Sequence, residues 1–376
     1  MSEKKFALLR EIAGRSPLES FEIESGPAYF ETHQGRRTLG TAAVVVSRST
    51  LAIRFEAEGV LLVPEVGYGE SNGKVYAADG AWSASDVNDA GVVPNGSQLF
   101  GTTSLVVGRD ATDDIAVTRL VIAGACWEAE GVVNGRHAIM TPLSRDVVSH
   151  HDLRMTITVE GDVDTAAIET MGRACSFVSG IDVEILRVER YSAVGALKNV
   201  RHLRGFRRLG RAPHSPFKAI ADEHRMRAWT ALVQAFPVLL EEGVPIDMIV
   251  DQISAQNQVS QIHLGAPLLL LPTLTAAYYR MHGSTVDEGA ASRRQELALL
   301  NRELGLGISE TDMDRFEKLR VEILDTGFFH APGYETGRPQ KDIKFLRDVA
   351  HVVVFRLCGY TGPYYCTEKF EVVSLD

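Results

Sequence analysis

Cysteine is scarce in this 376-residue chain, and the four present, Cys126, Cys175, Cys358 and Cys366, are scattered with no C-x-x-C pair. Zinc sites draw on such pairs, so no metal site and no cofactor are predicted, and the cysteines read as free thiols of a reducing compartment. Long hydrophobic runs are missing too. The longest, "GAPLLLLPTLTAAYY" over residues 265–279, holds two prolines. It is shorter than the roughly 20 residues of a membrane helix and predicts a buried helical segment. The opening "MSEKKFALLREIAG" lacks an apolar core with a small-residue cleavage site, so no secretory signal is expected and a cytoplasmic location follows as the default. Positive charge is in deficit: 39 Lys and Arg stand against 49 Asp and Glu, a net charge of −10. That balance excludes a protein coated in basic residues for indiscriminate nucleic-acid binding, but not a local basic site. Neither a G-x-x-x-x-G-K-[ST] phosphate loop nor an H-E-x-x-H zinc motif occurs.

What is present is an ordinary globular composition, 45% hydrophobic and 23% charged, long enough for two domains. The first part carries short runs rich in Val, Ile, Thr and aromatics, such as "TAAVVVS", "LAIRFEA", "VLLVPEV", "IAVTRLVIAG", "RMTITVE" and "DVEILRVERY". Bounded by turn signals like "SNGK" and "VPNGS", they predict an antiparallel β domain, a sandwich or open barrel, over residues 1–210. After "GRAPHSP" the period becomes helical, and an all-α bundle is expected over residues 217–376. The expected class is therefore α+β. Thr311 with Asp314 reads as the cap of a helix bearing Met313, Phe316, Leu319 and Ile323 on one face, ended or loosened by Gly327. A last long helix, with Ile343, Leu346, Ala350, Val353 and Leu357 as its stripe, should end at Gly359 and pack beside the previous one.

The segments "ACSFVSGIDVEILRVERY", "HLGAPLLLLPTLTAAYY", "FFHAPGY" and "RLCGYTGPYY", together with this order of halves, resemble bacterial HEPN proteins of the ApeA-like group implicated in phage defence. The resemblance implies a helical HEPN-like domain, a homodimer and an Arg, often followed by Asn, four to six residues before a His. Such a pair suits metal-independent RNA cleavage: the His takes the 2′-hydroxyl proton and the Arg steadies charge on the phosphorane. His330 stands in the matching loop, but Asp325 and Thr326 occupy the Arg-Asn positions, and an Asp repels phosphate. Arg320 lies too far along the helix to replace the missing Arg.

Arg347 and His351 form a second candidate pair, four residues apart on one helix face; the plainer reading makes them, with Asp348, the polar face of an amphipathic helix, or His351 a partly buried, hydrogen-bonded histidine. His330 reads alternatively as a helix-terminus histidine near the last carbonyls. A basic cluster, Arg201, Arg204, Arg207, Arg208 and Arg211 with Phe206 among them, is a candidate for phosphate contact and base stacking, or a solvated segment paired with acids. Three functions follow as expectations: a HEPN-type endoribonuclease of defence using His330, Arg347 or His351; a catalytically inactive HEPN-fold module that binds RNA, a signal or a partner; and a β-domain ligand sensor with a helical dimerisation domain. None of them requires a membrane.

Overall fold

The computed structural model describes residues 3–16, 21–32, 34–46, 51–57, 73–92, 98–102, 104–108, 114–143, 153–181, 183–203, 215–247, 249–250, 273–282, 293–321 and 338–375. Among them the fold is α+β, a large antiparallel sheet leaning to the N-terminal side and helices clustered toward the C-terminus.

Helix α1 (Glu3–Gly14) precedes strands β1 (Phe21–Thr32), β2 (Arg37–Val46), β3 (Leu51–Ala57), β4 (Gly73–Ala77), β5 (Trp82–Val92), β6 (Gln98–Gly101) and β7 (Ser104–Val107). The hydrogen-bonded order β4-β1-β2-β3-β6-β5 returns to β4 through the β4–β5 pairing, closing a circuit of six strands. Alternation explains its interior: Phe30, Ala42, Val44, Ile53, Phe55 and Val75 point to one side and, with Leu105 of β7, form a separate small core.

From β7 the sheet runs on through β13 (Leu197–Leu203), β12 (Glu184–Ser192), β8 (Ile115–Ala123), β11 (Arg154–Glu160), β10 (Arg136–Pro142) and β9 (Ala129–Val133). One face of this second part lies under α1 through Leu9, Ile12, Ala13, Val117, Ile139 and Tyr191. The other face holds Leu120, Ile122, Met155, Ile157 and Val188, which join the main core shared with the helices.

Helix α2 (Thr165–Ser179) falls inside the stretch expected to be mainly β, where no helix was expected. Its ends explain it: Asp164 accepts the Ala167 amide at 2.8 Å, and Gly180, at φ 66°, takes the left-handed position that closes the last turn. Helix α3 (Asp222–Glu241) sends the Trp229 indole N–H to the Met171 carbonyl at 3.2 Å, joining α2 and α3. Gly131 on β9 lets α3 approach closely: a Cβ there would lie 2.7 Å from Met226 Cε. Of the segment 265–279 expected as a buried helix, residues 273–279 are helical, with Leu274 and Ala277 buried; residues 265–272 lie outside the described residues.

Helices α4 (Arg293–Leu304), α5 (Glu310–Arg320) and α6 (Arg338–Leu357) follow. The cap of α5 is Ser309 rather than Thr311: its hydroxyl accepts the Asp312 amide at 3.1 Å, which moves the start two residues upstream. Met313, Phe316 and Leu319 are buried as the stripe predicts; Ile323 and Gly327 lie outside the described residues. A short hairpin, β14 (Pro363–Cys366) with β15 (Glu371–Ser374), ends the described chain, so the C-terminal half is not purely helical. Among the described residues no helix is long and apolar enough to cross a membrane.

Candidate functional site

Helix α6 places Arg347, Asp348 and His351. Its end is fixed by Gly359 at φ 71°, with the Gly359 amide on the Arg356 carbonyl and the Tyr360 amide on the Phe355 carbonyl. Phe355 and Tyr360 pack ring to ring at 5.1 Å across that terminus. One turn before Phe355, His351 is 0% exposed, and its ring meets Phe177 of α2 edge-on at 5.5 Å. Asp348 is also buried. Its carboxylate accepts the Thr367 amide at 3.1 Å, the Thr367 hydroxyl at 2.8 Å and the Glu368 amide at 2.8 Å, and the Cys366 thiol sits 3.4 Å away. The reading of these residues as the polar face of an amphipathic helix therefore fails, because two of the three are inside.

Arg347 remains partly exposed, while its Nη1 is buried with no hydrogen-bond partner among the described residues. Burial lowers its pKa, opposed by the charge of Asp348. Arg347 can meet an anion at its exposed edge; His351 presents no surface to a substrate in this conformation.

Of the basic cluster, Arg201 lies on β13, half-buried, donating from Nε to the Ser104 hydroxyl at 3.2 Å. Arg204, Phe206, Arg207, Arg208 and Arg211 lie outside the described residues, as does His330.

A buried charge network under α1 escapes the sequence reading. Arg119 on β8 is 2% exposed and donates from Nε to Glu189 at 2.5 Å, from Nη1 to the Ile12 and Arg15 carbonyls at 2.8 and 2.7 Å, and from Nη2 to the Tyr191 hydroxyl at 2.9 Å. Glu189 also receives Arg187 at 2.6 Å and the Tyr191 hydroxyl at 2.7 Å. In "RVERY" the alternation Arg187, Glu189, Tyr191 puts all three on one face of β12, a signal legible in sequence; the pairing with Arg119 is not.

His202 on β13 pairs in register with Arg187. Burial first, then the Arg187 charge, depresses its pKa to about 4 from 6.5, with Glu189 opposing. Between those values the unfolded chain binds the proton that folded His202 refuses, so stability falls as pH drops from 6.5 toward 4, by about 3 kcal/mol in all. The expected result is a urea midpoint that declines over this range in the wild type and declines less in His202→Gln. Parallel profiles would overturn the assignment.

Arg315 on α5 bonds Asp342 at 2.9 Å and also Glu368, and lies 4.3 Å over the Phe345 ring, tying α5, α6 and the hairpin together. Beside it a cleft of about 420 Å³ is lined by Asp314, Lys318, Leu319 and Lys341 as well. No group of three or more His, Cys, Asp or Glu among the described residues could hold a metal ion. The string Gly69-Glu70-Ser71-Asn72-Gly73 has hydrolase G-x-S-x-G spacing, but a nucleophile elbow leads from a strand into a helix, and Gly73 opens strand β4.

No family model, curated protein or solved structure matches this chain. The chemistry of its residues is therefore the basis for any function.

Proposed function

We propose that this chain is a cytoplasmic HEPN-type protein of phage defence that binds or senses RNA, dimerises through its helical half, and does not cut RNA at Arg347 and His351. The observation that carries the non-catalytic choice is the burial of His351, 0% exposed against Phe177. A general base must come within hydrogen-bond reach of the proton it takes. Asp325 in place of the expected Arg supports the same reading from sequence. The RNA part rests on the cluster from Arg201 to Arg211, five arginines and Phe206 in a chain of net charge −10.

Purified protein is incubated with total bacterial RNA and tRNA in EDTA, beside His330→Ala, and binding is measured across a salt series. We expect no cleavage and salt-dependent binding that weakens, with a flatter salt slope, in Arg204→Glu/Arg208→Glu. Fragments with cyclic phosphate ends that vanish in His330→Ala would replace this reading with a metal-independent ribonuclease.

A further inference from the structure

The outer surface of the six-strand circuit carries an aromatic strip unrelated to its core. Tyr29 on β1 pairs in register with Tyr76 on β4 on one side and with Leu39 on β2 on the other; Tyr76 continues to Ser83 on β5. The neighbours Ala28, Phe30, Val75, Ala77 and Ala84 point inward and are buried, so alternation turns this row outward. Tyr29 and Tyr76 are partly exposed, their rings near-parallel at 19° with centroids 5.0 Å apart, and Leu39 is 62% exposed.

Cations gather at one end of the strip. Arg36, Arg37 and Lys74 are all exposed there, and Lys74 and Arg37 both pair in register with Glu31. Glu31, the acid within this row, is itself neutralised by Arg37 at 2.6 Å, while the Arg37 guanidinium lies 4.9 Å from the Tyr29 ring centre. The end is thus a positive island on an acidic protein, set beside flat rings.

We propose that this face binds single-stranded RNA, its bases stacking on Tyr29 and Tyr76 and packing against Leu39, and its phosphates meeting Arg36, Arg37 and Lys74. Aromatic platforms beside cations take any base, since every base has a π-face, and phosphate charge complements the cationic rim. The inference rests on the RNA-binding reading above and gives the first half of the chain a share in it.

The test measures fluorescence anisotropy of a labelled single-stranded oligouridine with the full chain. Tyr29→Ala/Tyr76→Ala should weaken binding by about 5- to 100-fold, while Tyr29→Phe/Tyr76→Phe, which keeps both rings, should stay within about twofold of wild type. Arg36→Glu/Lys74→Glu, at exposed positions that do not threaten folding, should flatten the salt dependence. These results support the face. Wild-type affinity in the alanine and charge-reversal variants, with binding abolished by Arg204→Glu/Arg208→Glu, overturns it while the RNA-binding reading stands; the strip then faces a protein. No binding by the wild type overturns both.

Discussion

Arg119→Ala should cost about 3 to 5 kcal/mol of stability, because it leaves Glu189 buried without the guanidinium that neutralises it. Arg187 stays at 2.6 Å from the other carboxylate oxygen and holds the loss within that range. A second loss is local. No basic residue stands in the last turn of α1; its Ile12 carbonyl, which also accepts the Arg15 amide at 3.2 Å, and the Arg15 carbonyl just beyond the helix are both held by Arg119 from the sheet below. Without Arg119, α1 should loosen first, seen as faster hydrogen exchange over residues 9–15 than over β8 and β11. Arg119→Lys should recover only part of the stability, since one ammonium cannot reproduce four donors aimed at Glu189, Tyr191 and two carbonyls. Urea denaturation reads both variants. A loss below about 1 kcal/mol in Arg119→Ala would mean that the network does not hold the sheet and α1 together.

The network also marks where sequence reading stops. Runs rich in Val, Ile, Thr and aromatics, bounded by turn residues, place β2, β3, β8, β11 and β12: β2 alternates buried and exposed positions, while β8 and β11 are buried on both faces and are marked by composition alone. Which strands meet depends on pairs far apart in the chain, such as β7 with β13 and β8 with β12, and no local signal encodes them. The two missed element types have local causes. In "DTAAIETMGRACSFVSG" small residues mute the helical stripe, and only Asp164 and Gly180 announce the ends of α2. The terminal hairpin has four-residue strands, too short for alternation to stand out.

The missed helix decides the fate of a site residue. Spacing put Arg347 and His351 on one face of α6, and α6 runs close to its expected bounds. What spacing cannot say is what covers that face. Phe177 comes from α2, so the element that went unread is the one that closes over His351. The outward strip of Tyr29, Tyr76 and Leu39 was unreadable for the converse reason: its members lie on three strands, and only the register brings them together.

Asp348→Ala should be comparably damaging, at about 3 to 5 kcal/mol, and its effect should spread differently. The substitution strips acceptors from two amides and a hydroxyl of residues 367 and 368, each costing about 1 to 3 kcal/mol where burial keeps water away. It also releases the turn of the β14–β15 hairpin, and through Glu368 the Arg315 clasp that joins α5 to α6. Asp348→Asn keeps one carboxamide oxygen for the turn and removes a buried charge. Burial raises the Asp348 pKa despite the hydrogen bonds that lower it, so the charged form is disfavoured inside. A raised acid pKa gives stability that is complete below the ordinary value of 3.8 and is lost as pH rises through the folded value. Asp348→Asn should therefore lose much less than Asp348→Ala at pH 7, and should remove this group's share of the pH dependence. Equal losses in the two variants would show that the turn needs both oxygens and the charge, and that the hydrogen bonds outweigh desolvation at this position.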